Sequence, residues 1–132
     1  KKPFIGACLG MQLLAEGSAE GKCEGLGWIK GTVRKFVSDN ASPLKIPHMG
    51  WNTVSIVKPD PLFEGMTDDA RFYFVHSFYL SCDEENVLGR TDYGPSFVSA
   101  VRNGNIAGVQ FHPEKSHRFG MRVLSNFAGM DE

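Results

Sequence analysis

The side chain best suited to covalent chemistry in this chain is a cysteine held between two glycines. The segment reads Gly6-Ala7-Cys8-Leu9-Gly10, a G-x-C-x-G pattern typical of a sharp strand-to-helix turn that carries a nucleophile. We expect the glycines to avoid collisions at that turn, the helix dipole to favour the thiolate of Cys8, and the Leu9 N–H to stabilise an oxyanion. From the pentapeptide alone, a buried and inert thiol is an equally good interpretation.

A histidine and a carboxylate near the other end of the chain could activate such a thiol. The segment reads Val109-Gln110-Phe111-His112-Pro113-Glu114. In extended backbone His112 and Glu114 leave the chain on the same side, so the carboxylate can fix the tautomer of the imidazole that exchanges protons with sulfur. The alternative is that His112 ends a strand and Glu114 caps the closing helix. Together with the cysteine turn, the pattern predicts a Cys–His–Glu triad.

The elements that would position these groups indicate an α/β fold. An apolar run at residues 3–7 predicts a buried parallel strand, and residues 8–16 predict a helix. The aromatic alternation of residues 71–80 predicts one long strand, residues 106–111 another, and residues 116–130 a closing helix. We expect an open, twisted, mixed sheet of largely parallel strands extended by antiparallel ones. Parallel-sheet enzymes bind ligands at strand ends, where Cys8 and His112 would lie.

Composition excludes several classes of partner. The 132 residues are 42% hydrophobic and 22% charged with a net charge of −1, so neither nucleic acid nor a membrane surface is indicated. The cysteines Cys8, Cys23 and Cys82 form no CxxC pair, and the histidines lack metal-ligand spacing, so we expect no metal and no organic cofactor. Reduced thiols fit a cytoplasmic protein. His48 is interpreted as a structural or interface residue rather than a catalytic one, and His76 as a core histidine with satisfied hydrogen bonds.

The chain begins almost at once with a strand typical of a domain core. We therefore expect residues 1–132 to be the C-terminal catalytic part of a single domain whose N-terminal part is absent. Core surface left uncovered in this way could drive self-association.

Longer motifs around these residues resemble a known family. Two of them, Gly6–Gln12 and Gly108–Ser116, are similar to the class I (triad) glutamine amidotransferases. Two more, Pro47–Asn52 and Tyr73–Tyr79, resemble the branch that forms the glutaminase subunit of imidazole glycerol phosphate synthase in histidine biosynthesis. The resemblance runs from Pro3 to about Phe127 and implies a flavodoxin-like sheet.

The resemblance implies a reaction and its residues. Cys8 would attack the carboxamide of L-glutamine and form a glutamyl thioester, with His112 as acid and base and Glu114 orienting it. The substrate would be held by residues in five positions: Leu9, Gln12, Glu20, Ser77 and Phe78. A Gly-rich loop of the family that supplies a second oxyanion donor is not found in this sequence.

The same resemblance implies a partner. Met49, Trp51 and Asn52 would lie near the interface with a β/α-barrel synthase of the cyclase type, which receives the ammonia. Three alternatives stay open: a paralogous subunit feeding surface-sugar biosynthesis, suggested by residues 117–121; an inactive fragment that still binds its partner; and a cysteine peptidase of the same superfamily.

Overall fold

The computed structural model describes residues 2–18, 24–38, 43–67 and 69–130. Within those ranges it contains ten strands and two α-helices. The strands are β1 (Phe4–Ala7), β2 (Gly17–Ser18), β3 (Gly31–Lys35), β4 (His48–Thr53), β5 (Ser55–Ile56), β6 (Arg71–His76), β7 (Phe78–Cys82), β8 (Val87–Asp92), β9 (Ser96–Asn103) and β10 (Ile106–Val109), and the helices are α1 (Leu9–Leu13) and α2 (His117–Ala128). Three short 3-10 helices cover Pro61–Phe63, Glu84–Asn86 and Pro113–Lys115.

Eight of the strands form one open mixed sheet, as predicted. Its main order is β1-β10-β9-β7-β3-β2, with β8 paired to β9 and β5 to β8, while β4 and β6 form a separate two-stranded sheet. The expectation of largely parallel strands is wrong for the described residues, because only the β1–β10 and β2–β3 pairs are parallel. Short turns such as the one at Gly104 and Asn105 can join only antiparallel neighbours.

The long strand predicted for residues 71–80 is in fact two strands that belong to different sheets. It breaks at Ser77, because β6 pairs with β4 and β7 pairs with β3. The Ser77 carbonyl accepts a hydrogen bond from the Phe36 N–H at 3.0 Å. Aromatic alternation continues across the break because both strands bury one face, and it therefore conceals the change of sheet.

The first strand is parallel to its neighbour but only partly buried. β1 pairs with β10 in the register Ala7↔Val109, and Gly6 is buried whereas Phe4 is 41% exposed. The expectation of a buried strand is wrong at Phe4, because among the described strands β1 lies at the edge of the sheet with one partner.

An aromatic core joins the two sheets to the last helix. Its largest members are fully buried: Phe72, Phe74, Phe97 and Phe111. Val123 packs there from α2, and Phe119 and Phe127 add partly buried contacts, which confirms the predicted apolar face of this helix. Burying each large apolar side chain contributes about 1.5–3 kcal/mol. Among the described helices, none is long and apolar enough to cross a lipid bilayer.

Candidate active site

Cys8 occupies a strained turn between β1 and α1. Its φ of 55° and ψ of −111° lie in a region that residues other than glycine rarely adopt. The Cys8 N–H donates to the Val109 carbonyl at 2.8 Å, and the Cys8 carbonyl accepts from Met11 and Gln12 at the start of the helix. The predicted strand-to-helix turn is confirmed, although α1 has only five residues.

The glycines on either side of this turn differ in what they allow. A Cβ on Gly6 would lie 2.6 Å from the Gly10 carbonyl oxygen, so the turn requires glycine there. A Cβ on Gly10 would meet no atom of the described residues within 4 Å. The expectation of avoided collisions is therefore confirmed at Gly6 and wrong at Gly10, within the part of the chain that is described.

The sulfur of Cys8 is half-buried among polar groups. Its Sγ donates to the Val75 carbonyl at 3.7 Å and accepts from Gln110 Nε2 at 3.9 Å. Burial raises the pKa of this thiol, and the negative charge of Glu114 raises it further, while the Leu9 N–H, Gln110 and Lys115 lower it in part. The Leu9 N–H at the start of α1 favours the thiolate, as expected of this turn, but loss of hydration outweighs it and the pKa is raised overall. The thiol needs a base.

A histidine and a carboxylate form the predicted pair. His112 Nδ1 lies 2.8 Å from Glu114 Oε2. The residues that link them are not extended as expected, because a 3-10 helix begins at Pro113. Burial tends to raise the pKa of Glu114, but the hydrogen bond and charge of His112 and the charge of Lys115 lower it overall. A carboxylate only accepts hydrogen bonds, so Nδ1 carries the proton and Nε2 is left as the basic nitrogen.

Cys8 and His112 both hydrogen-bond to the same edge of β6. The sulfur donates to the Val75 carbonyl, and the His112 N–H donates to the Tyr73 carbonyl at 2.9 Å. Carbonyls two residues apart on a strand point to the same side and are separated by about 7 Å. Among the described residues no hydrogen bond joins Sγ to the imidazole; in ligand-free enzymes such contacts are often long and tighten only with substrate.

A pocket of about 240 Å³ opens beside the cysteine turn. Leu9, Gln12 and Phe78, all predicted to contact substrate, line it together with Glu24. Gln12 Nε2 donates to the Phe78 carbonyl and to Gln110 Oε1, each at 3.1 Å. The structure therefore brings three of the five predicted substrate residues together.

The other two predicted substrate residues have different outcomes. Ser77 lies at the bend before β7 and its carbonyl accepts from the Phe36 N–H, so that carbonyl is used within the fold. Glu20 lies outside the described residues, as does Cys23.

Gln110 is a site residue that we did not single out from the sequence. It is fully buried, and its amide joins Gln12 to the sulfur of Cys8. A signal was present, because an amide between two apolar residues at the end of a buried strand must find hydrogen-bond partners.

The residues predicted at a partner interface divide between the two faces of β4. Met49 is 60% and Trp51 46% exposed, and the Trp51 ring stacks on His117 with centroids 5.4 Å apart. Asn52 points to the other face, where its amide donates to the Asp92 carbonyl at 3.0 Å. Met49 and Trp51 thus form an apolar surface patch that does not include Asn52.

Two histidines lie between the sheets. His48 Nδ1 is 3.0 Å from His76 Nε2, and both residues are buried. The interpretation of His76 as a core histidine with satisfied hydrogen bonds is confirmed. Within the described ranges, no three His, Cys, Asp or Glu side chains are grouped as metal ligands.

Sequence comparisons connect this geometry to known proteins. The glutamine amidotransferase class-I family matches residues 1–129. The chain is 52% identical to imidazole glycerol phosphate synthase subunit HisH 1 of Campylobacter jejuni over 129 residues, which cover 97% of this chain and 63% of that protein. It is 48% identical to subunit HisH of Leptospira interrogans over 132 residues, covering 98% and 65%. The chain thus spans somewhat less than two thirds of these relatives.

Solved structures share the fold. A glutamine amidotransferase from Thermotoga maritima superposes with a TM-score of 0.59 at 21% identity, covering 97% of this chain and 47% of that one. The glutaminase domain of Trypanosoma brucei CTPS superposes with a TM-score of 0.57 at 20% identity, covering 96% and 60%. The predicted α/β architecture is confirmed, and the chain belongs to the class I glutamine amidotransferase family.

Proposed function

We propose that this protein hydrolyses L-glutamine to glutamate and ammonia through a thioester on Cys8. The observation that carries the proposal is the strained cysteine turn beside the His112–Glu114 pair, in a member of this family. Because the pKa of the thiol is raised and a protonated sulfur is a poor nucleophile, the imidazole of His112 has to remove the thiol proton.

The proposed reaction has two stages. His112 Nε2 accepts the thiol proton as the sulfur attacks the carboxamide carbon, and the Leu9 N–H stabilises the oxyanion. The carbon–nitrogen bond then breaks, and the imidazolium gives its proton to the leaving ammonia. In the second stage His112 takes a proton from water, the hydroxide attacks the thioester, and the thiol leaves with that proton. Glu114 stabilises the imidazolium in both stages.

The pocket beside Cys8 would hold the amino-acid end of glutamine. Gln12, fixed by the Phe78 carbonyl and Gln110, would bind the α-amino and carboxylate groups, with backbone of Ser77 and Phe78 nearby. Glu20 would pair with the α-amino group.

The partner proposal follows from the relatives. Proteins about half identical to this chain are imidazole glycerol phosphate synthase subunits, which favours that assembly over a surface-sugar enzyme. We propose a cytoplasmic heterodimer in which Met49, Trp51 and Asn52 lie near a β/α-barrel cyclase that receives the ammonia. The exposed Met49–Trp51 patch has the apolar, aromatic character typical of interface cores.

Selective alkylation tests the reaction. A chloroketone analogue of glutamine should label Cys8, and excess glutamine should protect it. Cys82 is the internal control, because burial raises the pKa of its thiol to about 11 and keeps it protonated. Equal labelling of Cys8, Cys23 and Cys82 would contradict the proposal and favour an inactive fragment. Cleavage of peptides without release of glutamate from glutamine would favour a peptidase.

A further inference from the structure

The buried histidine pair is placed between the patch on β4 and the pocket beside Cys8. His48 and His76 are 3% and 6% exposed, and they face each other across the β4–β6 register. Aromatic rings enclose them: Phe36, Phe74, Tyr93 and Phe97. The proposed reaction assigns neither ring a task, yet both have ordered hydrogen-bond partners on each ring nitrogen.

One end of this pair is fixed by an amide. The Thr53 N–H donates to Asn52 Oδ1 at 2.8 Å, and Asn52 Nδ2 donates to the Asp92 carbonyl at 3.0 Å. These two contacts settle which amide atom is oxygen and which is nitrogen. Asn52 Nδ2 therefore presents its second hydrogen to His48 Nε2 at 3.3 Å. In a neutral ring His48 Nε2 then accepts, and His48 Nδ1 carries the hydrogen.

The other end is fixed independently by a carbonyl. His76 Nδ1 lies 2.7 Å from the Phe78 carbonyl oxygen, which can only accept, so His76 Nδ1 carries the hydrogen. In a neutral ring His76 Nε2 is then the acceptor, and it faces the Nδ1 hydrogen of His48 at 3.0 Å. Both ends require the same arrangement. The donors run in one direction from Asn52 through both rings to Phe78.

The Phe78 carbonyl connects this chain of hydrogen bonds to the pocket. The same oxygen accepts from Gln12 Nε2 at 3.1 Å. Gln12 also donates to Gln110, and Gln110 reaches the sulfur of Cys8. A displacement of the Phe78 carbonyl would therefore also displace the Gln12 amide that lines the pocket.

We propose that His48 and His76 are positioning residues for the glutamine pocket, which hold the Phe78 carbonyl and through it Gln12. The proposal rests on the proposed function, since Gln12 is taken to bind glutamine. It assigns Asn52 a task distinct from partner contact: the amide sets the tautomer of both rings. A neutral imidazole has one donor and one acceptor. If residue 52 accepts a hydrogen bond from His48 instead of donating one, every donor and acceptor along the two rings is exchanged, and His76 no longer donates to the Phe78 carbonyl.

The tautomers are measured directly by nitrogen-15 NMR of the full chain with labelled histidine. Both rings should be neutral Nδ1–H tautomers near pH 7, with a scalar coupling across the hydrogen bond between His48 Nδ1 and His76 Nε2. An Nε2–H tautomer at His76, or absence of the coupling, overturns the proposal without reference to activity.

Asn52→Asp replaces the amide donor that faces His48 by a carboxylate acceptor, with almost no change in the shape of the side chain. A carboxylate cannot donate to His48 Nε2, so the ring must turn its own N–H toward residue 52, and His76 Nδ1 then faces the Phe78 carbonyl without a hydrogen. In complex with the synthase partner, the KM for glutamine should rise about tenfold while kcat changes little, the effect of one displaced binding contact. The NMR coupling should reverse its donor. Unchanged KM and tautomers overturn the proposal.

Two further variants separate positioning from general loss of stability. His76→Phe removes the donor to Phe78 and should raise KM about tenfold, whereas His76→Asn keeps an N–H near the Nδ1 position and should recover part of the loss. Thr91→Val is the matched control, because it removes a buried hydroxyl bonded to the Thr53 carbonyl and Ser99 without touching the pair, and it should keep the wild-type KM. Equal KM in all variants overturns the proposal.

The same assay separates this proposal from the proposed function. If the wild-type complex releases no glutamate from glutamine, the proposed function fails and the positioning proposal falls with it. If the wild type is active and the variants keep its KM, the positioning proposal fails alone.

Discussion

His112 and the His48–His76 pair show how neighbours decide what an imidazole can do. His112 has a carboxylate on one ring nitrogen, and that carboxylate is 58% exposed. The buried pair has only neutral partners at its ends, an amide and a carbonyl. A carboxylate stabilises the imidazolium that forms in acid–base catalysis, whereas a carbonyl and an amide fix orientation. One arrangement suits proton transfer and the other suits rigidity.

Burial acts on both regions in the same direction, toward the neutral form. It raises the pKa of the Cys8 thiol and lowers the pKa of His48 and of His76, each to about 4. At neutral pH both regions therefore begin uncharged at these groups. They differ in that the thiol lies near a base, whereas the outer hydrogen-bond partners of the histidine pair are a neutral amide and a carbonyl.

Removing the nucleophile has the largest expected effect. Cys8→Ala should lower glutamate release at least about 10⁴-fold, because no thioester can form, and should leave the NMR signature of the histidine pair unchanged. Cys82→Ala is the matched control and should retain activity. Glutamate release by Cys8→Ala at a rate near that of the wild type would place the chemistry elsewhere.

Acid should destabilise the protein through the buried pair. Unfolded histidine has a pKa near 6.5, and the folded values are about 4, so the unfolded chain binds more protons between these limits. The free energy of unfolding should therefore fall as pH drops from 6.5 toward 4, by about 3 kcal/mol for one such ring. Denaturant titrations across this range measure it.

The matched variants for this titration are both histidine substitutions. His76→Phe removes one buried imidazole and should reduce the fall in the free energy of unfolding between pH 6.5 and 4. His117→Asn removes an exposed imidazole and should leave that fall unchanged. Asparagine tolerates the φ of 51° at this residue. If the free energy of unfolding of the wild type did not change from pH 6.5 to 4, the conclusion that burial holds the His48–His76 pair in the neutral form would be contradicted.

Glu114→Gln tests the carboxylate that distinguishes His112 from the His48–His76 pair. The amide oxygen can still accept from His112 Nδ1, so the geometry is kept and the negative charge is lost. We expect kcat to fall about 10²-fold with little change in KM, because the imidazolium loses its stabilising charge in the transition state. A kcat equal to that of the wild type would show that the ring works without a carboxylate.

Sequence predicted best what is local. Cys8, His112 and Glu114 stand in short motifs at the ends of elements, so the turn at Cys8 and the His112–Glu114 hydrogen bond could be predicted from residue type and spacing. Leu9 was singled out from the turn, and Gln12 and Phe78 from the family resemblance; the structure places all three around one pocket.

Sequence failed where the outcome depends on distant parts of the chain. The pairing of His48 with His76 is set by the β4–β6 register, and the break at Ser77 by a change of sheet, neither of which leaves a local signal. The direction of the Cys8 pKa depends on how far the sulfur is buried, which only packing decides. The role of Gln110 emerges once Gln12 is brought beside it.

The smallest expected effect concerns the space next to Cys8. Gly10→Ala should stabilise the chain by about 0.5–1 kcal/mol, because alanine favours a helix and meets no described atom within 4 Å. Gly6→Ala is the opposite case and should destabilise, since its Cβ would lie 2.6 Å from the Gly10 carbonyl. Thermal unfolding compares the two. A loss of stability in Gly10→Ala would contradict this prediction, and the glycine on the helix side of the nucleophile would then be as necessary as the one on the strand side.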